Sequence, residues 1–157
     1  MDAPAWGILK YFRKRTSSTH LLESCHYTKK HGTFTIGLAV ALREHGLSVR
    51  YFSEPDPNPK AIEKQCYRIA EKIGVQVNHA ISLESLLAQI GEHSIPIVSY
   101  NTAENNGHLT PLLGAENGMV VLPYSDKGFM PKHEFLRRWS EPEIFRQCIV
   151  AYLCRRI

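Results

Sequence analysis

The chain lacks several features that would decide its class at once. No apolar run approaches the ~20 residues a membrane span needs, and the N-terminus has no basic-then-apolar layout of a signal peptide. These absences predict a soluble, cytoplasmic chain with no membrane insertion. Four cysteines are present, Cys25, Cys66, Cys148 and Cys154, with no CxxC pair and no other metal-ligand spacing. A chain of 157 residues needs no disulfide staples, so the thiols are expected to be reduced and no metal site is expected. His20, His31, His45, His79, His93 and His133 share no ligand spacing either. Neither a glycine-rich phosphate loop nor an internal repeat occurs, and no cofactor is implied. The formal net charge is only +4, scattered through "KYFRKR", "TKKH", "LRRW" and "CRRI". No nucleic-acid groove is indicated.

What is present suits one core. With 43% apolar residues over 157 positions, residues 1–157 are expected to form a single domain. The front half reads as helices. "PAWGILKYFRKR" follows Asp2 as cap, with Pro4 in the first turn. "SSTHLLESCHY" sets Leu21, Leu22 and Cys25 at helical spacing, and "TFTIGLAVALREHG" closes on Gly46. "LSVRYF" then alternates as a strand, the prolines of "EPDPNP" make a loop, and "KAIEKQCYRIAEKIG" returns to helix. "SLESLLAQIG" is a further helix capped by Ser82, with Ser85 in place of the capping-box glutamate. The back half reads as strands, "IPIVSYN", "HLTPLLGA", "MVVLPYS" and "RQCIVAYL", with the Asn-Gly pair of "AENG" as a hairpin turn. The order predicts an α+β fold with the helical front half packed on an antiparallel sheet from the back half.

Two stretches carry a family resemblance. "GTFTIGLAVALREHGLSVRYF" resembles the second helical segment of the bacteriocin-processing, double-glycine leader peptidases, a bacterial branch of the papain-like cysteine peptidases. "IPIVSYN", "GHLTPLLG", "GMVVLPYS", the helix "KHEFLRRW" and a closing strand follow in that family's order. The resemblance covers nearly the whole chain and implies a papain-like fold acting on a peptide or protein substrate.

It also implies roles for particular residues. The histidine that opens the penultimate hairpin is the family's general base, which makes His108 the catalytic candidate. A thiol is a weak nucleophile until an imidazole takes its proton. The resemblance further implies that Asn106, Gly107 and Trp6 contact substrate. The family's orienting aspartate falls in register at Tyr124, within "LPYSD"; Asp126 fills the role if the strand carries a bulge, and is otherwise a turn residue. The nucleophile departs from the family. Its cysteine starts the first helix, where the helix dipole favours a thiolate, and here the Asp-Cys opening is imitated by Asp2-Ala3. Either Ala3 stands at the nucleophile position, or the cysteine lies just upstream of Met1. The glutamine that precedes the cysteine and helps bind the oxyanion is also missing.

The other cysteines read as packing. Leu21 and Leu22 mark Cys25 as core-facing inside the second helix, and neighbouring His26 points about 100° away around that helix. Cys66, Cys148 and Cys154 lie on apolar faces. Glu134, Arg137, Arg138 and Trp139 are explained by an amphipathic helix. Three classes follow: a cysteine peptidase whose nucleophile is absent from this chain, a degenerate peptide-binding domain of the same fold, and a plain structural module, which "NNGH" disfavours.

Overall fold

The computed structural model describes residues 3–12, 14, 16–102 and 107–153, without the side chains of residues 3–6 and 18. The helices are α1 (Ala3–Tyr11), α2 (Ser18–Ser24), α3 (Thr35–Glu44), α4 (Ala61–Ile73), α5 (Leu83–Leu87) and α6 (Lys132–Trp139). The strands are β1 (Ser48–Ser53), β2 (Gln76–His79), β3 (Ser94–Asn101), β4 (Gly107–Pro111), β5 (Gly114–Glu116), β6 (Met119–Val121), β7 (Phe129–Pro131) and β8 (Cys148–Tyr152).

A five-stranded sheet in the order β2-β1-β8-β3-β4 is joined by a three-stranded sheet, β5-β6-β7. The larger sheet departs from the expected antiparallel one. β1 and β2 both come from the front half and pair in parallel through the α4 crossover, Arg50 opposite Gln76 and Ser53 opposite His79. The remaining pairs of that sheet are antiparallel.

Alternation along the central strands divides the buried side chains between two cores, as the two-residue period of a strand requires. Val49, Tyr51, Ile95, Ile97, Leu109, Ile149 and Ala151 join Ile8, Leu9, Phe12 and the apolar face of α3 on one side. Phe52, Val98, Tyr100, Cys148 and Val150 face the other, with Leu122, Phe135 and Trp139. The central helix of the first layer is α3, buried from Thr35 to Leu42. It packs on β1 and β8 with α1, α2 and α4 around it. Gly37 permits the closest approach, since a Cβ there would lie 2.4 Å from the carbonyl oxygen of Cys25.

Several local readings gain their physical form. Ser17 caps α2 by accepting from the His20 amide at 3.1 Å, and Ser82 caps α5 by accepting from the Ser85 amide at 3.1 Å. The Asn-Gly turn has Asn117 at φ 52° and Gly118 at φ 76°, the doubly left-handed pair that suits a two-residue hairpin between β5 and β6. Cys25 is not inside α2 as expected. That helix stops at Ser24 with Cys25 as its C-cap, because His26 turns to φ 56°.

Candidate active-site cleft

β4 is an edge strand. Its first residues pair with the last of β3, so that Tyr100 lies opposite His108 and Asn101 opposite Gly107. Side chains at 108 and 110 point to the same face, and Leu109 goes to the opposite core beneath α1. Half-buried His108 packs edge-on against Tyr100, ring centroids 5.5 Å apart at 84°.

The ring is held by main chain. His108 Nε2 lies 2.7 Å from the carbonyl oxygen of Tyr124. A carbonyl only accepts, so Nε2 carries the proton and the neutral ring presents Nδ1 as its acceptor nitrogen. Thr110 fixes the other side of that residue: its hydroxyl accepts the Tyr124 amide at 3.1 Å and donates to the Pro111 carbonyl at 3.2 Å. Two side chains two residues apart on β4 thus grip the N–H and the C=O of Tyr124.

The hydrogen-bond partner of the His108 ring is thus a carbonyl. β6 ends at Val121, and Asp126 is an exposed residue of the turn that leads to β7. That turn is closed by Leu122 and Gly128, the Leu122 amide donating to the Gly128 carbonyl at 2.9 Å. The Asp126 charge acts on Tyr100. Burial first, and then Asp126, raise the Tyr100 phenol above its ordinary pKa, while Arg138 opposes them.

Tyr124 also reaches α1. Its hydroxyl covers Gly7, where a Cβ would lie 2.4 Å away. At the other end of the helix Tyr11 donates to the Glu92 carbonyl at 2.9 Å, just before β3. α1 therefore packs beside β4, its middle turn at Gly7 under the Tyr124 ring and its C-terminal end near the start of β3. Ala3, the first residue of α1, is about one helical turn, ~6 Å along the axis, beyond Gly7. The side chains of Ala3 and Trp6 lie outside the described residues, as does all of Asn106. Gly107 is exposed at the start of β4.

α6 clamps the mouth of the β3–β4 pair. Arg138 Nη1 donates to the Asn101 carbonyl at 3.0 Å, and its Nε and Nη2 both donate to Glu134 Oε1, at 3.1 and 2.9 Å. Glu141 accepts from Asn101 Nδ2 at 2.8 Å. The amphipathic reading of α6 holds for Trp139, while Arg138, with Glu134, makes a further contact. Trp139 is buried in the core, and Arg138 ties down the strand end beside Gly107.

No described cysteine is placed for catalysis. Cys25, Cys66 and Cys148 are all buried. Burial pushes the Cys66 thiol up to about 11 and the Cys148 thiol up to about 12. Cys154 lies outside the described residues. Among the described residues no three His, Cys, Asp or Glu side chains converge on a point that could hold a metal ion, and no helix is long and apolar enough to cross a membrane.

Comparison with family models and with curated proteins gives no match. Among solved structures, the chain is similar to the peptidase domain of Streptococcus ComA, a bi-functional ABC transporter involved in a quorum-sensing pathway. The TM-score is 0.60 at 15% identity, over 96% of this chain and 88% of that one. It is also similar to a protein described as a C39-like peptidase from Bacillus anthracis, at TM-score 0.42 and 17% identity over 83% of this chain and 66% of the other. The first of these shows a shared fold, which in this chain is mixed α+β with a larger and a smaller sheet.

Proposed function

We propose that this chain is a papain-like cysteine-peptidase-type domain that takes a peptide or protein segment into the cleft between the start of α1 and the edge of β4. His108 is its base, and Ala3 stands at the position of the nucleophile. The observation that carries this reading is the bond from His108 Nε2 to the Tyr124 carbonyl. It leaves Nδ1 free of a proton in the neutral ring, ready to take one from a thiol at the helix start. The thiolate formed would attack a peptide carbonyl, and the imidazolium would return its proton to the leaving amine. The Tyr124 carbonyl does what a carboxylate or amide does elsewhere, holding the ring and its tautomer. The substrate-contacting roles of Trp6, Asn106 and Gly107 belong to the same proposal.

The second reading is a cleft that binds peptide without cleaving it. Alanine rather than cysteine at the first residue of α1 favours it.

Restoring the thiol tests the cleft. Ala3→Cys should alkylate with iodoacetamide at neutral pH at least about 10-fold faster than an unperturbed thiol, because the helix dipole and an imidazolium both favour the thiolate. Asp2, adjacent and negative, works against this by a smaller amount. Ala3→Cys combined with His108→Ala should lose most of the gain. A new thiol no faster than an unperturbed one, or indifferent to His108, overturns the peptidase reading and leaves the binding cleft.

A further inference from the structure

At the other edge of the large sheet, four strands from β4, a crevice of about 430 Å³ opens at the carboxyl ends of the parallel pair β1 and β2. That size lies within the range of roughly 300–1,000 Å³ typical of ligand clefts, and the carboxyl ends of parallel strands are a usual place for one. The register explains how it forms. Tyr51 pairs with Val77 and Ser53 with His79, and all four line the crevice on the face covered by α4. Tyr67 of α4 forms a wall, and its hydroxyl shares a 2.8 Å hydrogen bond with that of buried Tyr51.

The proline loop between β1 and α4 supplies the opposite rim, with Pro55 and Pro59 as apolar surface and Glu54 and Asp56 as charge. Among the described residues no lysine or arginine lines the crevice. Asp56 Oδ1 accepts the Asn58 amide at 2.8 Å, which holds the loop in a turn. Arg146 Nε approaches Glu54 at 3.8 Å, while its Nη2 donates to the Ile81 carbonyl. Lys60, the N-cap of α4, is exposed and does not line the crevice; its main-chain amide donates to Glu63 Oε1 at 3.1 Å. One carboxylate pair thus faces a crevice with tyrosine and proline walls. A long cationic side chain matches this: its methylenes lie along Tyr67, Pro55 and Val77, and its charge meets Glu54 and Asp56.

β2 provides the track. All four of its residues are exposed, Val77 to 51%, and among the described residues it pairs only with β1. Alternate residues of its outer edge therefore present unpaired N–H and C=O groups beside the crevice. We propose that an extended peptide adds to the β2 edge and places an arginine or lysine side chain in the crevice formed by Tyr67, Pro55, Glu54 and Asp56. Main-chain pairing supplies affinity and the acidic crevice supplies the choice of side chain. The site is separated from His108 by the width of the sheet, about 19 Å at ~4.8 Å per strand, and does not depend on the peptidase reading.

The test uses the ¹⁵N-labelled full chain titrated with an acetylated, amidated pentapeptide, Thr-Val-Arg-Val-Thr, and with its counterpart carrying citrulline for arginine. The arginine peptide should cause saturable amide shifts centred on residues 76–79 and 54–56. Citrulline should weaken binding at least about 10-fold, and so should Glu54→Gln combined with Asp56→Asn, both at partly exposed positions. Raising salt from 0.05 to 0.5 M should weaken the arginine peptide several-fold, as an exposed ion pair requires. Equal affinity for the two peptides, shifts centred on β4 instead of β2, or shifts that follow protein concentration through self-association at the edge would each overturn the proposal.

Discussion

The Thr110 hydroxyl accepts the amide of Tyr124 at 3.1 Å, while His108, two residues earlier on the same face of β4, donates to the carbonyl of that same residue at 2.7 Å. Thr110 is fully buried, so Thr110→Val keeps the shape but leaves the Tyr124 amide without its partner. The expected cost is about 1–2 kcal/mol, read from urea unfolding. A second readout separates positioning from plain stability. In the wild type, ¹⁵N chemical shifts of the neutral His108 ring should report the Nε2–H tautomer, and in Thr110→Val that preference should weaken. A wild-type ring protonated on Nδ1 would remove the carbonyl from its holding role.

Gly7 and Tyr124 should be coupled. Alanine gains about 1 kcal/mol over glycine in a helix, but a Cβ at Gly7 would meet the Tyr124 hydroxyl at 2.4 Å. Gly7→Ala alone should therefore change stability little, since the exposed ring must swing outward. In a Tyr124→Ala background the same substitution should stabilise by about 1 kcal/mol. Strict additivity in this double-mutant cycle would mean that the phenol does not rest on α1.

Gly37→Ala should behave in the opposite way. The atom in the path of its Cβ is the carbonyl oxygen of Cys25, part of the main chain at the C-cap of α2, which cannot swing aside. Loss of close packing between α2 and α3 should outweigh the gain in helix propensity, for a net destabilisation of about 1–3 kcal/mol in urea unfolding. A more stable variant would show that α3 does not approach α2 this closely.

Stability should fall on the alkaline side. Burial raises the thiols of Cys66 and Cys148, to about 11 and about 12. Burial also raises the phenols of Tyr51, Tyr67 and Tyr100. A raised pKa means that the folded chain holds its proton after the unfolded chain has released it. The corresponding stability is present below the unfolded values, roughly 8.5 for a thiol and 10 for a phenol, and is lost as pH rises above them. The urea midpoint should drop between pH 8 and pH 11. In the native chain at pH 8, Cys66 and Cys148 should alkylate more than about 100-fold slower than an unperturbed thiol, as peptide mass spectrometry would show. A flat midpoint or ready labelling would contradict their burial.

Where an element has its own periodicity, the residues alone determine it. The helical spacing of Cys66 and Ala70 marks α4, Gly74 at φ 85° ends it, and the alternation of Val49 and Tyr51 with Arg50 marks β1. β3 and β8, by contrast, are buried on both faces, and only the sheet assigns their side chains to one core or the other. His108 becomes a candidate only through the family resemblance, since a lone histidine beside "NNG" reads by itself as a solvated turn residue. β2 was not legible: Gln76–His79 is exposed throughout, so no buried face imposes a pattern, and only the α4 crossover brings it beside β1. Nor was the division of "HLTPLLGA" into β4 and β5, which belong to different sheets, because an apolar run fits either side of such a break. The holding group for His108 escaped the residue types altogether. Register pointed to Tyr124, yet the atom that serves is a main-chain carbonyl, which every residue possesses. Side-chain pattern settles what a segment buries. Which peptide group, crevice wall or helix end meets it is decided only when segments distant in the chain pack together.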